Sequence, residues 1–258
     1  MKIFVMVDME GISGICLRSQ VATDGEHYHK AREYLTQDVN ACVAGCFLGG
    51  ADKVVVRDAH SRGYHLIWEA LDPRAEYVQG VAGRERMPGI GSFDGLILLG
   101  YHAMAGTPQA ILEHTMSSRH WQNFWINGRK SGEIAIDAGI AGDHGVPTIM
   151  VSGDDKCCRE ARRFIKGVVA VQVKRGLDVE GGILLPGPVA RKRISAGAAR
   201  AVRKCKSIKP YKVKAPVRMR LELVSRGRIP VKRRPARVID GHTYEVAGPS
   251  VEATLALL

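Results

Sequence analysis

The chain has 258 residues, of which 45% are apolar, enough for a large core, so disorder is excluded as a description of the whole. Its 38 Lys and Arg outnumber 26 Asp and Glu, a net charge of +12 that first suggests nucleic acid or an acidic surface as partner. The surplus is unevenly placed: residues 1–150 carry 13 basic and 17 acidic side chains (net −4), and residues 151–258 carry 25 and 9 (net +16).

Lys2–Val7 is apolar and β-branched, the pattern of a buried strand. It meets Asp8 and Glu10 too early for a secretory signal, and no apolar run approaches the roughly 18 residues of a membrane span, so a cytoplasmic protein is expected. Tyr28–Leu48 carries apolar residues at helical spacing and stops at Gly49-Gly50. Residues 53–56 read as a strand, 64–70 as a short helix ended before Pro73, and Gly95–Leu99 as a third buried strand. A short strand at 124–126 turns at Asn127-Gly128, a hairpin signal. Residues 134–141 read as helix, 146–151 as strand, 156–166 as helix and 168–173 as strand. Strands alternating with helices predict an α/β fold, with a mostly parallel sheet covered on both faces. Composition shifts after Gly181: a basic helix at 189–206, alternating segments at 217–224 and 237–246, and an apolar helix-like end at 251–258. The expected organisation is a metal-binding catalytic domain over 1–180 and a smaller basic α+β subdomain over 181–258.

Acidic and imidazole side chains gather where strands end. Asp8 and Glu10 follow the first strand two residues apart, a spacing that lets both carboxylates aim at one point. Asp58 and His60 repeat the spacing after the second strand, His102 follows the third, and Glu133 opens a helix. In α/β sheets ligands bind outside the carboxyl ends of the strands. Singly, each residue is as well explained as a turn former, a helix cap or a hydrogen-bonded structural histidine. Jointly they form an oxygen and nitrogen ligand set without thiolates, suited to zinc, manganese or cobalt at a catalytic site. Three carboxylates, from Asp8, Glu10 and Glu133, balance two divalent ions and a bridging hydroxide, which would be the attacking nucleophile.

Beyond these residues the chain resembles a family. Val7-Asp8-Met9-Glu10-Gly11-Ile12-Ser13-Gly14, Asp58-Ala59-His60-Ser61, Gly100-Tyr101-His102-Ala103-Met104-Ala105-Gly106-Thr107, His114-Thr115-Met116, Gly132-Glu133-Ile134 and Ser152-Gly153-Asp154-Asp155 are similar, in order, to motifs of the zinc-dependent D-aminopeptidases. The resemblance spans about residues 1–175. It implies an α/β fold, a ring-like decamer and a two-zinc site with Asp8 (bridging), Glu10, His60, His102 and Glu133 as ligands. It also implies a catalytic role for His114, which we read as a general acid/base because an imidazole titrates near working pH. One departure stands out: Arg57-Asp58-Ala59 occupies a segment that in the family commonly reads Asn-Asp-Ser, which adds a cation beside a ligand.

The expected activity is therefore removal of the N-terminal residue from short peptides. The alternatives are another metal-dependent amidohydrolase or phosphoester hydrolase, and nucleic-acid binding through the basic half. The last is unlike known modules: only Tyr211 and Tyr244 are available for stacking beyond residue 185, and Lys and Arg at 189–206 and 209–237 suit a solvated face or a subunit contact. The six cysteines include no Cys-x-x-Cys pair and read as core thiols. His27 and His29 read as exposed, and Asp154 as a helix cap.

Overall fold

The computed structural model describes residues 1–83, 85–226 and 236–258. β1 (Lys2–Val7) is buried at every position after the first. It leads through a short helix, α1 (Arg18–Val21), to α2 (Tyr28–Leu48). β2 (Lys53–Asp58), β3 (Glu76–Val78) and β4 (Gly95–Leu99) follow, then β5 (Trp121–Ile126), which turns at Asn127-Gly128 into β6 (Arg129–Lys130). Next come α3 (Glu133–Asp143), β7 (Thr148–Gly153), α4 (Asp155–Phe164), β8 (Val169–Gln172) and the hairpin β9 (Lys174–Asp178) with β10 (Gly181–Leu184). The remainder is α5 (Gly187–Lys204), β11 (Val217–Leu223), β12 (Arg237–Val238), β13 (Thr243–Gly248) and α6 (Val251–Leu255).

Six strands form a parallel sheet in the order β3-β2-β1-β4-β7-β8. The order reverses between β1 and β4, so a crevice opens outside their carboxyl ends. That crevice is where Asp8, Glu10 and His102 begin. A second, antiparallel sheet runs β12-β13-β11-β5-β6. Its strand β11 alternates cleanly: Val217, Met219, Leu221 and Leu223 are buried, while Arg218 and Arg220 face out. The α/β architecture with a smaller second layer is thus present.

The six-stranded sheet lies wholly before the expected boundary at 180/181, but the second sheet and the helix packing draw on both sides of it. Strands β5 and β6, from the first part, complete the second sheet. Helix α5, from the basic part, lies against α2: a Cβ at Gly45 would stand 2.3 Å from the Ser195 carbonyl oxygen, so the two helices meet backbone to backbone. Composition changed near residue 181 because the solvated faces became basic, not because a new core began.

Two elements also differ from expectation. The segment 64–70 holds only a 3₁₀ turn at Trp68–Ala70. Its backbone groups are taken by α2 side chains: Arg32 donates to the His65 and Leu66 carbonyls, and the Ile67 amide donates to Thr36 Oγ1. The stretch 237–246 is a hairpin rather than one strand, because Asp240 Oδ1 accepts from the amides of His242 and Thr243 and turns the chain. The 251–258 end packs inward, with Val251 seated on Gly139 of α3. Of the basic run at 209–237, residues 227–235 lie outside the described residues. No helix among the described residues is long and apolar enough to cross a membrane.

Candidate metal centre

The crevice is built by close backbone approach. The Gly11 amide donates to the Gly100 carbonyl at 2.7 Å, and a Cβ at Gly11 would fall 1.9 Å from the Tyr101 carbonyl oxygen. Only glycine lets the loop after β1 lie on the loop after β4. Beneath it the buried ammonium of Lys174 donates to the carbonyls of Glu10, Ile12 and Ile15 at 2.6, 2.9 and 2.6 Å. Burial pulls the Lys174 pKa down to about 8, against the opposing charge of Asp154 and its neighbours.

All six expected site residues meet in this crevice. Asp8 Oδ1 lies 3.0 Å from His60 Nδ1, and Asp8 Oδ2 lies 3.3 Å from His102 Nε2. Glu10 Oε2 is 3.1 Å from the same His60 nitrogen. Glu133 Oε1 is 3.3 Å from His102 Nε2 and 3.7 Å from His114 Nε2. The rings of His102 and His114 stack at 4.0 Å. Two groups that could hold a metal ion result, Asp8–Glu10–His60 and His102–His114–Glu133, each with its possible donor atoms within 4.8 Å of one another. Asp8 offers one oxygen to each. Asp58 is not among them: its Oδ2 accepts from the His65 amide at 2.6 Å and so shapes the turn that presents His60.

The three histidines share one arrangement. His60 pairs Nε2 with the Val21 carbonyl, His102 pairs Nδ1 with that of Ala103, and His114 pairs Nδ1 with that of Leu112, at 3.0, 3.0 and 2.9 Å. In each, the nitrogen that faces a carbonyl must carry the proton, which turns the other toward the carboxylates. This is how proteins orient imidazoles toward a metal. Two buried atoms that face the cluster, Glu10 Oε2 and His102 Nε2, have charged neighbours at 3.1 to 3.3 Å but no well-aligned hydrogen bond among the described residues. A divalent cation at each set would satisfy them, and the donors are those that zinc accepts.

The charges reinforce one another. Burial works against the ionised forms of Asp8 and Glu133, but hydrogen bonds and charge from His102, joined by His60 at Asp8, hold Asp8 well below the usual carboxylate range and bring Glu133 down to about 2. Burial opposes protonation of His60 and His102 too. Glu10 and Asp8 override it at His60, and Asp8 and Glu133 at His102, raising both well above the ordinary imidazole value.

Several residues that hold the site were not singled out from the sequence. Arg86 donates to both oxygens of Asp137, at 2.5 and 3.0 Å, and its Nη2 is 3.6 Å from Glu133 Oε2. Tyr101 Oη donates to Asp137 Oδ2 at 2.5 Å. The Met116 amide donates to Glu133 Oε1 at 2.8 Å. His65, which matched no motif, supports the His60 carbonyl from Nε2 at 2.9 Å. Asp154 is a helix cap as expected, accepting from the Cys157 amide, and it also holds the Ile111 amide. His27 and His29 are exposed.

With this geometry in place, similarity to known proteins decides the family. A family model described as D-aminopeptidase matches residues 1–258. The chain belongs to the D-aminopeptidase family. It is 35% identical over 214 residues to the D-aminopeptidase of Bacillus subtilis (strain 168), an alignment that covers 81% of this chain and 77% of that protein. Its fold matches the solved structure of the Zn-dependent D-aminopeptidase DppA from Bacillus subtilis, described as a self-compartmentalizing protease, with a TM-score of 0.93 and 30% identity over 100% of this chain and 95% of that one. As a member of the D-aminopeptidase family the chain is a metal-dependent aminopeptidase, a hydrolase.

Proposed function

We propose that this aminopeptidase uses two zinc ions, held by Asp8, Glu10, His60, His102 and Glu133 with Asp8 shared, to remove the N-terminal residue of short peptides. The observation that carries the reading is the common orientation of the histidines, each with one nitrogen tied to a backbone carbonyl and the other turned toward buried carboxylates. The zinc dependence of the Bacillus subtilis structural relative supports the choice of ion. When bound, zinc supplies Lewis acidity and brings the pKa of water toward neutrality.

The protein's own residues do the rest. His114, whose Nδ1–H is fixed on Leu112, presents Nε2 toward the reacting region and can take a proton there and return it to the leaving amine. His102 stacks on its ring and limits its rotation. Arg86 and Met116 fix the Glu133 carboxylate from two sides. In the loops around the crevice Tyr101, Met9 and Ile12 are fully or nearly fully buried, as are Asp8, Glu10, His102 and Glu133.

A panel of aminoacyl anilides with D- and L-residues, dipeptides and phosphoesters tests the substrate class. Cleavage of the aminoacyl substrates is expected; turnover of phosphoesters alone would overturn the reading. Self-association, up to a ring-like decamer, accords with the self-compartmentalizing relative and is read by light scattering, where a mass of one chain would contradict it. The six free cysteines suit a reducing, cytoplasmic setting.

A further inference from the structure

Glu160 of α4 is a buried carboxyl group between the two chain segments that carry His102 and Glu133. Its Oε2 accepts from the Met104 amide at 2.8 Å, two residues beyond His102. Its Oε1 lies against Gly132, the residue before Glu133. A Cβ at Gly132 would stand 2.9 Å from that oxygen and 2.6 Å from the Met104 Cβ. Only a glycine there lets the three groups close on one another. Among the described residues no hydrogen bond or ion pair joins Glu160 to Asp8, Glu10 or His60.

The N-terminus of the same helix holds the far end of this loop. Asp154 accepts from the Ile111 amide at 2.9 Å, and the neighbouring Leu112 carbonyl fixes His114 Nδ1. The stretch from His102 to His114 is thus tied to α4 at Met104 and at Ile111. Asp154 also caps α4, whereas Glu160 has no second duty: its Oε1 has no hydrogen-bond partner among the described residues. Burial pushes the Glu160 pKa up to about 7, against the Met104 amide and the His102 charge. A carboxyl group sunk this deep for one amide costs stability, and such costs gather where a site must be held in place.

We infer that Glu160 is a positioning residue for one half of the metal centre, latching the His102 loop against the residue that precedes Glu133. The inference rests on the two-ion reading above and adds that the two halves have separate supports. On the other half, the segment of Glu10 is fastened by Lys174 and the turn that presents His60 by Asp58. Releasing Met104 would let His102 move relative to Glu133, whose Oε1 now lies 3.3 Å from its Nε2. Length and an acceptor oxygen are what the latch requires. Aspartate at this position is one carbon short of the Met104 amide, whereas glutamine has the same length and keeps an oxygen to accept it.

The test is zinc binding to the metal-free full-length protein, followed by calorimetry, so the result does not depend on hydrolysis. The unaltered protein is expected to take two ions in two steps. Glu160→Met and Glu160→Asp should weaken one step about 10- to 100-fold, as for other groups that orient ligands, and leave the other near its unaltered value. Glu160→Gln should restore the weakened step. Equal loss in both steps, no loss in either variant, or a Glu160→Gln protein no better than Glu160→Met would overturn the inference. The Glu160→Asp protein, which keeps the carboxyl group and lacks only its reach, decides the matter if Glu160→Met fails to fold. Amide hydrogen exchange at Met104 in the metal-free protein reads the latch without any ion: it should be faster in Glu160→Met and Glu160→Asp and slow again in Glu160→Gln. A single ion bound by the unaltered protein would sink the two-ion reading alone. A Met104 amide equally protected in all four proteins would sink the latch alone.

Discussion

His60, His102 and His114 each spend one nitrogen on a backbone carbonyl and turn the other to the same small volume. The difference between them lies in what they face. His60 and His102 touch two carboxylates each, whereas His114 meets only Glu133, and at 3.7 Å. On the proposed assignment, that difference separates the ligands from the acid/base. His114→Gln should therefore keep its metal while losing about 10²- to 10⁴-fold in kcat, the usual contribution of a positioned proton carrier. Loss of metal in parallel with activity, read by elemental analysis, would make His114 a ligand instead. A pH effect follows from the same contacts. In the metal-free protein the carboxylates raise His60 and His102 well above the ordinary imidazole value, so both hold protons near neutrality. Metal binding must displace them, so affinity should weaken as pH falls, with proton release detectable by calorimetry in buffers of different ionisation enthalpy. The convergence of the five proposed ligands was legible in the sequence because strand ends and two-residue spacing place them. Lys174 and Arg86 were not, because a lone cation at a strand end or in a loop reads as a solvated charge until its burial is known.

At the scale of elements, the site depends on two loops pressed together after β1 and β4. Lys174, at the start of β9, fastens the first of them through three carbonyls. Lys174→Met should free that loop and with it Glu10. The expected cost is about 10- to 100-fold in metal affinity, as for other groups that orient ligands. Metal-binding isotherms that match those of the unaltered protein would show that the loop holds itself. The strands and long helices were readable from apolar period alone, as in Lys2–Val7 and Tyr28–Leu48. The 64–70 segment misled because its spacing is helical while its backbone is satisfied by Arg32 and Thr36 from another element. The hairpin within 237–246 had its signal in Asp240-Gly241, which the alternating pattern around it masked.

For the molecule as a whole, the charge of +12 is unevenly placed. The basic half contributes the exposed faces of β11 and α5, while their apolar faces join the same core as the acidic half. A linear reading therefore drew a boundary at 180/181 where composition changes; the parallel sheet lies wholly before it, while β5 and β6 of the first part join strands of the basic part in the second sheet. What the sheet order does fix is the crevice between β1 and β4, and the reading of function stands on its occupancy by a pair of ions. The direct test is zinc content per chain in purified protein and in Asp8→Ala, with peptide cleavage measured on the same samples. Because Asp8 gives an oxygen to each ligand set, about two equivalents are expected in the unaltered protein and loss of both, with loss of activity, in the variant. An Asp8→Ala protein that retained both ions and cleaved peptides at the unaltered rate would contradict the assignment.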